Sequence, residues 1–433
     1  MTTAYRCWAE VDLDALRANL AWLRHRVGPR VKIMTVVKAD AYGHGLKQIA
    51  ALLMQSGTDI FGVANLAEAR AIRSVGRGWP ILMLGACLPD EIETCVKDHV
   101  MPTISTLAEA HAFAAAARKL RRNVEVHLKV DTGMGRLGVA PADALALARA
   151  ISGRGAHPPA GAVFRAPAEN RRGTQSRETS ATSVRAPEPA ARAQPATPEA
   201  GCAPLPSEFG LKLQGLFTHF SSAEDAAEFS AQQAALFHSV IAQLTAAGLT
   251  PPMIHANNSA AILHEPATTF DLVRPGLLVY GILPTGRRRA LPPLPELRPA
   301  LSWHCRVALV KEIPKGTPLS YGHTFTAPRR MRVATLTAGY GDGYLRAGSE
   351  RAAVLIHGRR CAVLGRVTMD QMLVDVTRVP ATQPGDVATF IGRQGTEEIT
   401  ATEVATWFGT IPWEVLTAIT YRVPRIYRGG SAA

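Results

Sequence analysis

A chain of 433 residues, 47% hydrophobic and 19% charged, exceeds one ordinary domain and can bury a large core. It contains no run of ~18 apolar residues such as a membrane span needs, and Met1 to Leu20 lacks the apolar core and small-residue cleavage pattern of an export signal, so a cytoplasmic location is expected. Six scattered cysteines without a Cys-x-x-Cys pair suit a reducing compartment and exclude a structural zinc pattern, and the net charge of +13 is too diffuse for a nucleic-acid patch. Diffuse basicity fits an enzyme of anionic ligands.

Apolar residues at Leu13, Leu16, Leu20, Leu23 and Val27 keep helical spacing from Asp12 until Gly28-Pro29 stops the run. Ile33 to Lys38 reads as a buried strand. The pair then repeats: a helix over 46–54, a strand at 60–63, a helix over 66–75 opened by Asn65 and Glu68, a strand at 81–84, a helix after Pro89-Asp90, and a strand at 101–104. A helix opened by the capping box Thr106 to Glu109 follows, and further strands are expected at 124–130, 213–219, 253–256 and 272–280. Eight strands separated mostly by helices predict a (β/α)8 barrel over 12–284, whose chemistry belongs on the loops after the strands.

After Pro284 the texture changes to short Val/Thr/Ile-rich runs broken by Gly and Pro, at 301–310, 331–337, 353–356, 372–376 and 387–391, with a helix near 401–408. These predict a mostly β domain over 285–433, joined by a strand at 5–11. The stretch 154–208 fits neither domain. It is rich in Ala, Pro and Arg with Phe164 as its one aromatic, so ordering it has little apolar burial to offset the entropy, and a disordered surface insertion is expected.

Val36-Val37-Lys38-Ala39-Asp40-Ala41-Tyr42-Gly43-His44-Gly45 is the most informative stretch. A lysine ending a buried strand either snorkels its ammonium to the barrel rim or, being costly to hold charged, offers a nucleophilic amine such as a Schiff base to a carbonyl cofactor requires. The motif closely resembles the cofactor-lysine motif of alanine racemases, enzymes of fold type III that use pyridoxal 5′-phosphate, and the resemblance runs through both domains outside the insertion. It implies that Lys38 carries the cofactor and acts as one base, and that Tyr42 helps hold the phosphate.

In Lys129-Val130-Asp131-Thr132-Gly133-Met134-Gly135-Arg136, the resemblance makes Arg136 a ligand of the substrate carboxylate, a task suited to a planar fork that stays charged. Lys129 matches a lysine that many family members carry as a carbamate, positioning Arg136. Arg274-Pro275-Gly276-Leu277 implies a guanidinium on the pyridine nitrogen and Gly276 and Leu277 N–H groups on the phosphate, with Ser259 a further phosphate ligand. An arginine there keeps the ring nitrogen unprotonated and the cofactor a weaker electron sink, favouring racemisation over transamination. The resemblance also implies that His219 and His255 join Arg274 in a hydrogen-bond chain, with His219 reaching the catalytic tyrosine.

That tyrosine matches Tyr321, in Ser320-Tyr321-Gly322-His323-Thr324, which the resemblance places on the partner subunit of a homodimer. Met369 matches a backbone contact to the substrate carboxylate, and Tyr421 a tyrosine that touches phosphate and narrows the approach. The implied activity is interconversion of L- and D-alanine, supplying D-alanine for peptidoglycan. Two rivals are a decarboxylase of the same architecture, which would want an acidic partner for the ring nitrogen where Arg274 stands, and a cofactor-carrying barrel without turnover, which would need no second domain.

Overall fold

A computed structural model describes residues 5–153, 210–265, 268–284 and 297–430. The expected insertion at 154–208 lies outside the described residues.

The first strand, β1 (Cys7–Asp12), leads into a helix over Leu13–Val27 whose N-cap, Asp12, accepts the backbone N–H groups of Asp14 and Ala15. Eight parallel strands follow: β2 (Lys32–Val36), β3 (Ile60–Val63), β4 (Ile81–Met83), β5 (Met101–Ile104), β6 (Val124–Lys129), β7 (Leu211–Phe217), β8 (Met253–His255) and β9 (Leu272–Val273). They form one sheet in the order β8-β7-β6-β5-β4-β3-β2-β9. The remaining seam is spanned by Asp271 N–H to Ile254 O at 3.1 Å and Arg274 N–H to Asn257 O at 2.9 Å, so the barrel is nearly closed. Strands buried on both faces need near-continuous apolar runs, and β3 and β5 are buried throughout. Met34, Ile60, Leu82, Met101, Met253 and Leu272, from six of the eight strands, form a separate buried cluster that plugs the barrel interior.

Two strand ends differ from expectation. The first barrel strand stops at Val36, and the eighth is two residues long rather than reaching Tyr280. Beyond it Pro275 offers no N–H for a ladder, and Val279 N–H to Gly276 O and Tyr280 N–H to Leu277 O close successive tight turns instead. The capping box of Thr106 and Glu109 forms in full. At Asn65 only half of one forms, because the Glu68 carboxylate reaches Ala64 N–H and Ala39 N–H rather than Asn65.

The remaining strands are β10 (Leu301–Ile313), β11 (Pro318–Leu319), β12 (Phe325–Thr326), β13 (Met331–Leu336), β14 (Ala353–Ile356), β15 (Arg359–Leu364), β16 (Met372–Asp375), β17 (Val387–Gln394), β18 (Glu397–Ile399) and β19 (Arg425–Arg428). Nine strands form a second sheet, β18-β17-β14-β15-β16-β13-β10-β1-β19, in which β10 also pairs with β17, so six strands close into a small ring. Trp303, Tyr344 and Phe390 fill it with tilted and edge-on ring contacts. β1 enters between β10 and β19, tying the chain's first strand to its last. Helices over Ala401–Phe408 and Pro412–Ala418 complete the β-rich region.

Candidate active site

Lys38, Lys129, His219, His255 and Arg274 all stand at or just beyond the C-terminal ends of barrel strands, the end at which such barrels assemble their chemistry. Lys38 opens a turn in which Ala39, Asp40, Ala41 and Tyr42 all have φ near +53°. Left-handed backbone costs a residue with a Cβ roughly 1–2 kcal/mol, so four in succession require clamps. Glu68 accepts Ala39 N–H at 2.7 Å, and Asp40 accepts Leu46 N–H at 2.7 Å. His44 Nδ1–H is shared between Ala41 O and Tyr42 O at 3.0 and 2.9 Å, and Arg425 Nε donates to Gly43 O at 2.9 Å. Glycine is obligatory at position 43, where φ is +79° and a Cβ would collide with Leu416 O.

The turn leaves Lys38 half-buried, and burial, reinforced by the Arg136 charge, holds its amine below the usual lysine range. Lys129, 3% exposed, is pushed down to about 8 by burial first and then by Arg136 and Arg274. Asp131 shapes the loop that presents Arg136, its Oδ1 accepting the N–H groups of Gly133, Met134 and Gly135 at 2.8–3.1 Å. Arg136 itself is exposed, with no bonded partner among the described residues. Cations outnumber acids at this mouth, an arrangement that accepts an anion.

Arg274 is buried against acceptors. Its Nη2 donates to Thr218 O at 2.8 Å and Ala256 O at 2.7 Å and faces His219 Nδ1 at 3.3 Å, while Nη1 faces His255 Nδ1 at 2.7 Å. Burial pulls Arg274 down to about 9, which leaves it protonated at neutral pH, and its Nε has no protein acceptor among the described residues. Burial and the Arg274 charge hold His219 and His255 far below the usual histidine range, so both rings are neutral. Accepting from Arg274 at Nδ1 leaves each ring its proton on Nε2.

Residues fit for an anionic, carbonyl-bearing cofactor lie on both sides of Lys38. The Tyr42 hydroxyl sits against Gly276, where any Cβ would collide with it. Ser259 Oγ is 2.9 Å from Gly276 N–H and accepts it, so this N–H is engaged by Ser259, whereas Leu277 N–H has no partner among the described residues.

Three further candidates lie on the β-rich region. Tyr321 begins a turn between β11 and β12 and is 71% exposed, its neighbour Gly322 lying at φ +72° against the Arg366 guanidinium. Met369 is exposed, its carbonyl accepting Gly341 N–H at 2.8 Å and its own N–H unpaired among the described residues. Tyr421, 96% exposed, lines a surface cleft with Asp40 and Leu46. Sequence reasoning missed three supports: Glu68, His44, and His127 within β6, whose Nδ1 is 2.9 Å from His255 Nε2. A histidine two residues before Lys129, between the apolar Val126 and Leu128, was the available signal for the last.

The profile of the alanine racemase N-terminal domain matches residues 11–177 and 194–284, and that of the C-terminal domain matches 300–427. The chain belongs to the alanine racemase family. It is 37% identical over 432 residues to the alanine racemase of Symbiobacterium thermophilum, covering 98% of each chain. With that of Halothermothrix orenii it shares 35% identity, covering 97% of this chain and 96% of the relative. Among solved structures, the alanine racemase of Streptomyces lavendulae superposes with a TM-score of 0.81 at 31% identity, covering 99% of this chain and 98% of that one. The Bartonella henselae alanine racemase, solved with covalently bound pyridoxal phosphate, gives 0.77 at 25% identity, covering 98% of this chain and 100% of that one. This family member therefore presents its clamped lysine and arginine–histidine chain on a fold shared with racemases over nearly its whole length.

Proposed function

We propose that this alanine racemase moves the α-proton of alanine between two bases on opposite faces of the substrate, Lys38 of one subunit and the partner subunit's Tyr321. The chain interconverts L- and D-alanine and uses pyridoxal 5′-phosphate. Bound at Lys38, that cofactor supplies a sink for the electron pair left when the α C–H bond breaks. Inversion needs one group to take the proton from one face and another to return a proton to the other. The lowered pKa of Lys38 supports the first role, because burial and the Arg136 charge favour the neutral, proton-accepting amine over the ammonium. The Nε2–H of His219 supports the second, as a donor suited to a phenolate oxygen.

Arg136 and the Met369 N–H would bind the substrate carboxylate, Met369 also coming from the partner subunit. Tyr42, Ser259, Gly276, Leu277 and Tyr421 would surround the phosphate, and the free Arg274 Nε would face the ring nitrogen as a donor. The exposure of Tyr321 and Met369 within one chain supports a homodimer with shared sites. All five described cysteines are unpaired, which supports a cytoplasmic location.

The observation that carries this reading is the gathering of Lys38, Lys129, Arg136 and Arg274 at one barrel mouth, in a chain whose two halves both match alanine racemase domains. Purified protein given pyridoxal 5′-phosphate and L-alanine should produce D-alanine until the two are equal, since enantiomers have equal free energy. Consumption of alanine with release of carbon dioxide would contradict the reading and favour decarboxylation.

A further inference from the structure

The hydrogen-bond chain on Arg274 extends one residue beyond His255, and its protons can be counted. A guanidinium only donates, so His255 Nδ1 must be a lone pair and Nε2 must carry the proton. That Nε2 lies 2.9 Å from His127 Nδ1, which must therefore accept, and the His127 proton is left on Nε2. His127 is fully buried, and its Nε2 has no partner among the described residues. A side chain present only to fill space would not carry a buried, unsatisfied donor, because a leucine or phenylalanine fills the same space without it.

The surroundings are shaped to the ring. Gly215 on β7 lies against His127, and any Cβ there would run into the imidazole. Phe217 stacks on His255 at 4.7 Å with the planes 4° apart, while the Arg274 guanidinium lies 5.3 Å from the centre of the same phenyl ring. The charged and titratable groups acting on His127 and His255 from the packed strands are Arg274 and each other, and burial with the Arg274 charge keeps both rings neutral, His127 at about 3.

We propose that His127 is a positioning residue for Arg274: by accepting the Nε2 proton of His255 it holds that ring in the one orientation and tautomer whose Nδ1 receives Arg274 Nη1. The functional consequence rests on the reading that Arg274 faces the cofactor ring.

The test joins a spectroscopic readout on cofactor-free protein to kinetics on the holoenzyme. Nitrogen-15 histidine spectra of the wild-type apoprotein should show His127 and His255 both neutral with the proton on Nε2. In His127→Leu the His255 resonances should move, and kcat should fall by about tenfold with KM for alanine nearly unchanged. His127→Asn, whose Oδ1 can stand where Nδ1 stood, should restore the His255 signals and most of kcat. A wild-type His255 carrying its proton on Nδ1 overturns the proposal even if no variant folds, and so do unmoved His255 signals in His127→Leu. Displaced signals with unchanged turnover would uphold the hold of His127 on Arg274 and contradict instead the assignment of Arg274 to the cofactor.

Discussion

Arg274 Nη1 lies 2.7 Å from Nδ1 of His255, and every other protein group bonded to this guanidinium is likewise an acceptor. On the proposed assignment of Arg274 to the cofactor ring, a cation so placed would give the ring nitrogen a donor and no proton. Arg274→Glu should therefore lower racemisation while raising side transamination, since a carboxylate favours a protonated ring nitrogen and a stronger electron sink. Pyridoxamine phosphate formed per racemisation event is the readout, with melting of the apoprotein as the control for folding. No rise in that ratio would remove the electronic role assigned to Arg274.

Lys38→Ala should abolish the visible absorbance of protein-bound cofactor and essentially all racemisation. The left-handed turn is held by Glu68, His44 and Arg425 rather than by Lys38, so the apoprotein should melt within a few degrees of wild type. Retention of both absorbance and turnover would mean that another amine carries the cofactor.

Gly276→Ala puts a methyl group into the Tyr42 hydroxyl. Tyr42 must swing away, and cofactor affinity should weaken by roughly tenfold, about 1.4 kcal/mol. Absorbance titration of the apoprotein with pyridoxal 5′-phosphate measures it; unchanged affinity would show that Tyr42 is not a phosphate ligand.

Lys129 links the site to pH. Its pKa is about 8 in the fold against an ordinary value of 10.5, so below about 8 both states carry the proton and the fold bears the cost of a buried cation. Between those values the unfolded chain binds more protons, so stability rises with pH, and above them the cost is gone. Lys129→Met should thus raise the Tm of the apoprotein at pH 7 in carbon dioxide-free buffer, a gain that shrinks as the pH is taken from 8 to 10. A gain independent of pH would refute the cost of the buried charge. The neutral amine is also the form that captures carbon dioxide, so in bicarbonate the native mass should increase by one carbon dioxide at Lys129, as the family resemblance implies.

Periodicity made the barrel legible, because parallel strands buried on both faces have to be short apolar runs, and β3 and β5 fall where those runs fall. It was blind where tertiary contacts override local pattern. Residues 33–38 read as one strand, yet Glu68, distant in sequence, draws Ala39 N–H and helps bend the chain into its left-handed turn. Leu272 to Tyr280 is equally apolar, and there Pro275 and the Ser259 hydroxyl on Gly276 N–H replace the ladder. The strand Arg359–Leu364 escaped notice because its exposed arginines and alanine break the apolar run. Within the site, the candidates for chemistry were chosen from motifs, whereas residues bonded to their neighbours, such as His44 and His127, were visible only once their partners were placed.

The central claim is that each active site joins Lys38 of one chain to Tyr321 of the other, and subunit mixing tests it most directly. Lys38→Ala and Tyr321→Phe homodimers should each be severely impaired. When equal amounts exchange at random, half the dimers are mixed, and one site of each mixed dimer receives both intact bases. About a quarter of wild-type sites should therefore regain activity. If heterodimers form and no activity returns, both bases belong to one chain and the shared site is contradicted.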